Sequence, residues 1–251
     1  MAIHMVKREL DMQLKNKVVS IMQPTYLPWL GYFHLINLSD IFVIYNNTQL
    51  VKRSWQTRNR IKTANGELFL TIPIKKTEER DKLKIKKAEI NYSNIDWRHK
   101  HLMSINQAYK KAPFFESIYP IIEEFYKESP KYLVDLTIPI IVKIIDLLKI
   151  KTKIMFSDEI KFNGNKDDAL ISICKNLGAE KYLSVKGSMD YILADNNLFE
   201  KNKIELKWHN FSHPEYKQVH GDFVPKMGVI DTLFNIGIDE TALLIRDIKN
   251  E

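Results

Sequence analysis

Short β-branched apolar runs alternate with longer amphipathic stretches over most of this chain. VVSIM (18–22) and IFVIY (41–45) flank one helical segment, which predicts a βαβ unit with a right-handed crossover. Glu67–Ile74 reads as a strand ended by Pro73, and a short strand is expected near Ala88–Ile90. Helices are expected over Asp96–Lys111, capped by Ser93 or Asn94, and over Phe114–Lys127 and Lys131–Leu148, with Pro120, Pro130 and Pro139 marking bends or starts. Strands at Thr152–Phe156, Tyr182–Val185 and Ile204–Trp208 then alternate with helices at Asp167–Leu177 and from about Ser188, and Asp231–Phe234 and Glu240–Ile248 close the chain as helices. The pattern predicts a layered α/β fold with a mostly parallel sheet, Rossmann-like or nucleotidyltransferase-like, and a helical insertion at about 94–150. Residues 1–16 read as a charged extension, and 17–251 as a single domain.

Composition narrows the setting. The 251 residues are 45% hydrophobic and 27% charged, ordinary for a globular chain, and no window approaches a membrane span. The N-terminus lacks the apolar core of a secretory signal, and one cysteine excludes an internal disulfide; a cytoplasmic setting is expected. A net charge of +7 favours polyanionic or phosphorylated partners. The abundance of lysine accounts for part of that charge. It does not account for arginines clustering at 53–60, in a stretch without a carboxylate between Asp40 and Glu67.

That basic segment, Lys52, Arg53, Trp55, Arg58, Asn59 and Arg60, is the first candidate site. Arginine presents a planar fork matched to paired phosphate or carboxylate oxygens, and an indole stacks on a base or sugar ring. In an extended segment Arg58 and Arg60 share a face. The competing reading is a solvated loop on a basic protein.

Gln23, Pro24, Tyr26 and Pro28 lie at the carboxyl end of the first strand, where open parallel sheets place their ligands. There the amide of Gln23 would orient a substrate and the phenol of Tyr26 would stack on it. The H-x-G-H motif of nucleotidyltransferases is absent; the equivalent place reads W-L-G-Y-F-H, with His34 an ordinary helix-face histidine. Lys186 and Ser188 sit at a βα turn able to bind an anion or, equally, to serve only as an N-cap. Neither a dinucleotide fingerprint nor a P-loop occurs. His213 with Tyr216, Gln218, His220, Gly221 and Asp222 forms the third cluster, in which a histidine close to a carboxylate could act as general base. Pro214 argues against His209 and His213 sharing a helix, so no metal site is expected; His99 and His101 point to different sides, and Cys174 is core.

MQPTYLPWLGYFHLI followed by DIFVIYNNTQLVKRSWQTRNRI resembles the opening signature of the WbqC-like protein family. YKKAPFF (109–115), ICKNLGAEKYLS (173–184) and HPEYKQVHGDFVPKMGVIDTLFNIG (213–237) agree with it in order. The basic tryptophan-containing segment is part of that signature. The resemblance implies a place in bacterial O-antigen or other surface-polysaccharide biosynthesis. The activity it suggests is transfer of an acyl or aminoacyl group, glycyl among them, onto the amino group of a nucleotide-linked sugar. His213, Gln23 and Asp222 would then be catalytic, with Tyr26, Lys52, Arg53, Trp55, Arg58, Asn59, Arg60, Lys186, Ser188 and Gln218 holding substrate. The donor would be an aminoacyl-tRNA or a carrier-bound acyl group; no resident cofactor is implied. A nucleotidyl- or glycosyltransferase on the same sheet edge, and a non-catalytic nucleic-acid-binding or scaffold protein, stay open as alternatives.

Overall fold

The structure, a computed structural model, describes residues 17–78, 82–93, 96–188, 198–248 and 250. A parallel sheet of β1 (Val18–Met22), β2 (Ile41–Ile44), β5 (Lys153–Phe156), β6 (Lys181–Val185) and β7 (Glu205–His209) runs in the order β5-β2-β1-β6-β7. Pairing is in register from Val19↔Ile41 to Met22↔Ile44 and from Lys181↔Glu205 to Val185↔His209. The expected α/β layering with a parallel sheet is therefore present.

Strand alternation sends Val19, Ile21, Ile41 and Val43 to one face, against α5 (Asp167–Asn176) and the short α6 (Leu198–Lys201). Phe42 and Ile44 face the other way, into a larger core with α1 (Leu30–Asn37) and α7 (Val229–Asp247). Both faces are covered, which explains strands that read as continuous apolar runs. Strand order reverses direction between β1 and β6. The crevice outside their carboxyl ends is the topological switch point, where such sheets bind ligands.

The insertion between β2 and β5 begins earlier than the sequence predicts. Immediately after β2 the chain leaves the sheet and forms a separate antiparallel hairpin, β3 (Arg58–Thr63) and β4 (Gly66–Thr71). Half of the supposed basic loop is thus strand. Helices α2 (Trp97–Tyr109), α3 (Phe115–Glu124) and α4 (Val134–Leu147) follow before the return to β5. Asp96, rather than Ser93 or Asn94, caps α2, its carboxylate accepting from the His99 N–H at 3.2 Å. Pro120 and Pro139 lie inside α3 and α4, on their exposed sides, where a lost backbone hydrogen bond meets water. Residues 85–87 form a 3₁₀ turn, and beyond it Glu89 and Ile90 make only isolated bridges. The last two expected helices run together as α7, bent at Gly237, whose φ of 80° breaks the helical path; a Cβ there would lie 2.7 Å from the Phe114 ring. The extension at 1–16 and most of the helix expected from Ser188 fall outside the described residues. Among the described residues no helix is long and apolar enough to cross a membrane.

Three histidines are built into this core in neutral form. His34, on α1, lies 2.8 Å through Nδ1 from His209 Nε2 and donates through Nε2 to the Ile248 carbonyl at 2.9 Å, so His209 must donate to His34. Burial pushes His209 down to about 4, helped by the neighbouring His34, and lowers His34 as well. His101 is likewise driven to about 4 by burial. Because each folded-state value lies below that of the unfolded chain, the unfolded state takes up protons first as pH falls. The stability these groups supply is complete above about pH 6.5 and is lost progressively towards pH 4. Urea unfolding at pH 7 and pH 5 should show a loss of about 2 kcal/mol for each of His101 and His209. His209→Gln should flatten that dependence; an unchanged slope in the variant would show that the pair does not titrate in this window.

Candidate functional site

The β1–α1 loop, residues 23–29, rises from the switch point and is held from two sides. Asn59 in β3 is buried and donates through Nδ2 to the Tyr26 and Leu27 carbonyls at 3.1 and 2.6 Å. Val229 N–H donates to the Pro28 carbonyl at 2.8 Å, and Tyr26 N–H to the Trp55 carbonyl at 2.9 Å. The loop is stiff because its carbonyls are occupied, beyond what its two prolines impose. Trp29 ends it, its indole lying across Gly31, where an added Cβ would come 2.4 Å from the ring.

Trp29 forms one wall of a recess around His213. The two rings stack at 6.2 Å, and Phe211, Tyr216 and Phe223 surround the imidazole at 5.6, 6.2 and 5.6 Å. Nδ1 donates to the Pro214 carbonyl at 3.0 Å, which fixes the tautomer and leaves Nε2 as an acceptor. Nε2 is buried and has no partner among the described residues. Desolvation lowers the His213 pKa, the Pro214 bond opposes this, and the charge of Lys226 adds to the lowering. The imidazole is held neutral with one lone pair uncommitted. Asp222 is not its partner: that side chain is exposed, and its main-chain carbonyl accepts from Lys62 Nζ.

The loop carrying His213 is pinned from beneath. Asp231, fully buried on α7, accepts from Tyr109 at 2.8 Å, Tyr216 at 2.7 Å and Gln218 at 2.8 Å. Burial raises its pKa, and those three donors oppose the rise. Gln218 also bonds both ways with the Val224 main chain. It is an anchor of the loop, where the sequence places it at substrate. His220 donates to the Ala108 carbonyl at 2.6 Å.

On the hairpin, Arg58 and Arg60 do share a face, as expected of alternate strand residues. The Arg58 guanidinium lies 4.6 Å above Phe69, and Trp55 stacks on the same ring at 6.1 Å; Trp55 is 48% and Phe69 42% exposed. Arg58 Nε is buried and unpartnered, and Lys52 and Arg53 are exposed and form no ion pair among the described residues. Arg60 differs: both oxygens of Glu67 accept from it at 2.8 and 2.7 Å, so the acid missing from its own segment arrives across the hairpin. The Arg60 carbonyl accepts from Gly228 N–H at 3.0 Å, and Gly228 bridges to Trp29. The hairpin, at Arg60, and the histidine recess are therefore neighbours.

Other sequence candidates are placed differently. Tyr26 has no exposed surface; its hydroxyl lies 3.0 Å from His101 Nδ1 and bonds Tyr126, so it supports the loop from the core and presents no face for stacking. Gln23 is half-buried at the carboxyl end of β1, its Oε1 accepting from Gln56 at 3.0 Å. Lys186 bonds Asn210 at 2.7 Å, while Ser188 is buried against Ser184 and the Val185 carbonyl. Cys174 is core, its thiol pushed up to about 12 by burial. Among the described residues no group of three or more His, Cys, Asp or Glu could hold a metal. Trp29, Phe211 and Phe223 escape sequence reading because isolated aromatics carry no spacing signal, although Trp29 adjoins the Pro-punctuated loop.

Comparison with known proteins agrees with this layout in extent. The model of the WbqC-like protein family matches residues 23–243, from Gln23 through the first half of α7 and beyond. A protein of Mycobacterium tuberculosis (strain ATCC 25618 / H37Rv), uncharacterized protein Rv1507c, is 32% identical over 225 residues, 89% of this chain and 95% of its own length. No solved structure matches.

Asn59→Ala separates anchoring from binding. Removing its Nδ2 leaves two buried carbonyls unpaired, so stability should fall by roughly 2–3 kcal/mol in urea unfolding. A variant as stable as the parent would show that the loop is held by other means.

Proposed function

The chain belongs to the WbqC-like protein family, and on that premise we propose that it is a transferase of surface-polysaccharide biosynthesis, placing an acyl or aminoacyl group on the amino group of a nucleotide-linked sugar. The observation that carries this reading is the buried Nε2 of His213, without a partner among the described residues, next to the hairpin that also presents Arg58. An imidazole held neutral in a fixed tautomer is suited to take a proton at neutral pH.

In this reading Arg58, Lys52 and Arg53 hold the phosphates, and Trp55 covers a ring of the ligand. Arg60 contributes less, because Glu67 already neutralises it. Gln23 positions the acceptor at the switch point through the amide group not engaged by Gln56. The acceptor amine attacks the donor carbonyl, the new C–N bond forms as the bond to the leaving group breaks, and His213 Nε2 takes the amine proton. The Pro214 carbonyl steadies the imidazolium that results. Asp222 has no role in this step.

Thermal shifts against dTDP-, UDP-, GDP- and CMP-linked amino sugars identify the acceptor class, and transfer is then assayed with acyl and aminoacyl donors. His213→Gln should lower the transfer rate by about 10²–10⁴ while the thermal shift persists. Arg58→Ala should weaken nucleotide-sugar binding about tenfold, the loss of one charge-assisted contact. Full turnover in His213→Gln, or unchanged binding in both Arg58→Ala and Arg60→Ala, contradicts the assignment.

A further inference from the structure

We propose that the recess between β4 and α2 receives the planar, carbonyl-bearing base of a nucleotide, with uracil or thymine fitting it best, and that its neighbour holds the phosphates. The proposal rests on the reading of the ligand as nucleotide-linked and adds to it a specific place for the base. The recess has a volume of about 460 Å³, with walls that include Leu68, Phe69, Thr71, Pro73, Trp97 and Ser104. That volume lies within the range of small-molecule sites. A second recess of about 320 Å³ shares Thr71 and Pro73 with it and leads to Lys52, Arg53 and Arg58. A mostly apolar slot thus shares part of its wall with a cationic one.

Two orphaned donors support this pairing. Trp97 is only 4% exposed, yet its indole Nε1–H has no partner among the described residues, and Trp97 lines the slot. Buried donors are almost always satisfied, so an unused N–H beside a cavity marks a place where a ligand acceptor belongs. A ring carbonyl supplies that acceptor, and a hydrocarbon chain does not. Arg58 Nε is the second orphan, beside Phe69 at the junction of the two recesses. His101, which also lines the slot, is engaged by Tyr26 and by the Thr71 backbone and stays neutral, so Lys100 is the charged side chain among the lining residues. Exposed Leu68 and Phe69 form the rim, apolar surface whose exposure a bound ring would relieve.

Titration calorimetry with UDP, dTDP, ADP and inorganic pyrophosphate tests the slot on the full-length chain. UDP or dTDP should bind at least tenfold more tightly than pyrophosphate, and more tightly than ADP. Ser104→Phe fills the slot from the half-buried side of α2, and Trp97→Phe removes the indole donor; each should cut pyrimidine-nucleotide affinity at least tenfold. Arg53→Ala should weaken nucleotide and pyrophosphate alike. Trp97 contributes to the core, so where Trp97→Phe melts early the Ser104→Phe result decides. Pyrimidine nucleotides bound no better than pyrophosphate or ADP, or bound equally by Ser104→Phe, overturn the base site while leaving the transferase reading to the His213→Gln assay. Binding of no nucleotide at all overturns both the slot and the nucleotide-linked acceptor.

Discussion

The site depends on the grip of Asn59 on the β1–α1 loop. One buried side-chain amide satisfies two consecutive carbonyls that would otherwise be stranded away from water. That grip sets the position of Trp29, and Trp29 sets the wall against which His213 stacks. It also ties the parallel sheet to the hairpin, because Asn59 belongs to β3 while the loop leaves β1. Tyr26 completes the arrangement from below, its hydroxyl joined to His101 and Tyr126. The histidine recess and the basic face are thus two sides of one fastened junction.

Burial also selects which ionisable groups remain available. Arg60 is closed by Glu67, Lys62 by the Gly221 and Asp222 carbonyls, and Asp231 by three donors. Each pairing removes a candidate that counting charges along the sequence would include. Among the described residues, one imidazole nitrogen and Arg58 Nε stay without a partner, and Lys52 and Arg53 stay exposed.

The sheet was legible because its strands are short, β-branched and separated by helical periods, which hold whatever the tertiary context. The first strand of the hairpin was not. RNRIKT is polar at every position but Ile61, and a polar basic stretch without apolar alternation reads as loop until the partner strand is known. The same blindness misplaced Asn59, Tyr26 and Gln218, whose partners lie 33, 75 and 13 residues away. Sequence identifies polar groups but does not say whether water or another part of the chain satisfies them. His213 was visible as a candidate, yet its tautomer depends on Pro214 and its walls on Trp29 and Phe223, which only the fold assembles.

Strand β3 shows how one short segment serves two purposes. Its alternation turns Asn59 and Ile61 inward to the core, while Arg58 and Arg60 turn outward beside Phe69 and Trp55. Because a strand's side-chain period is two, the inward residues fix the register that aims the outward ones. A slip by one residue would bury both arginines and expose the asparagine, removing the loop anchor and the cationic slot together. The conjunction of these residues in K-R-S-W-Q-T-R-N-R therefore has one physical cause: the segment that clamps the β1–α1 loop is the segment that presents the charge.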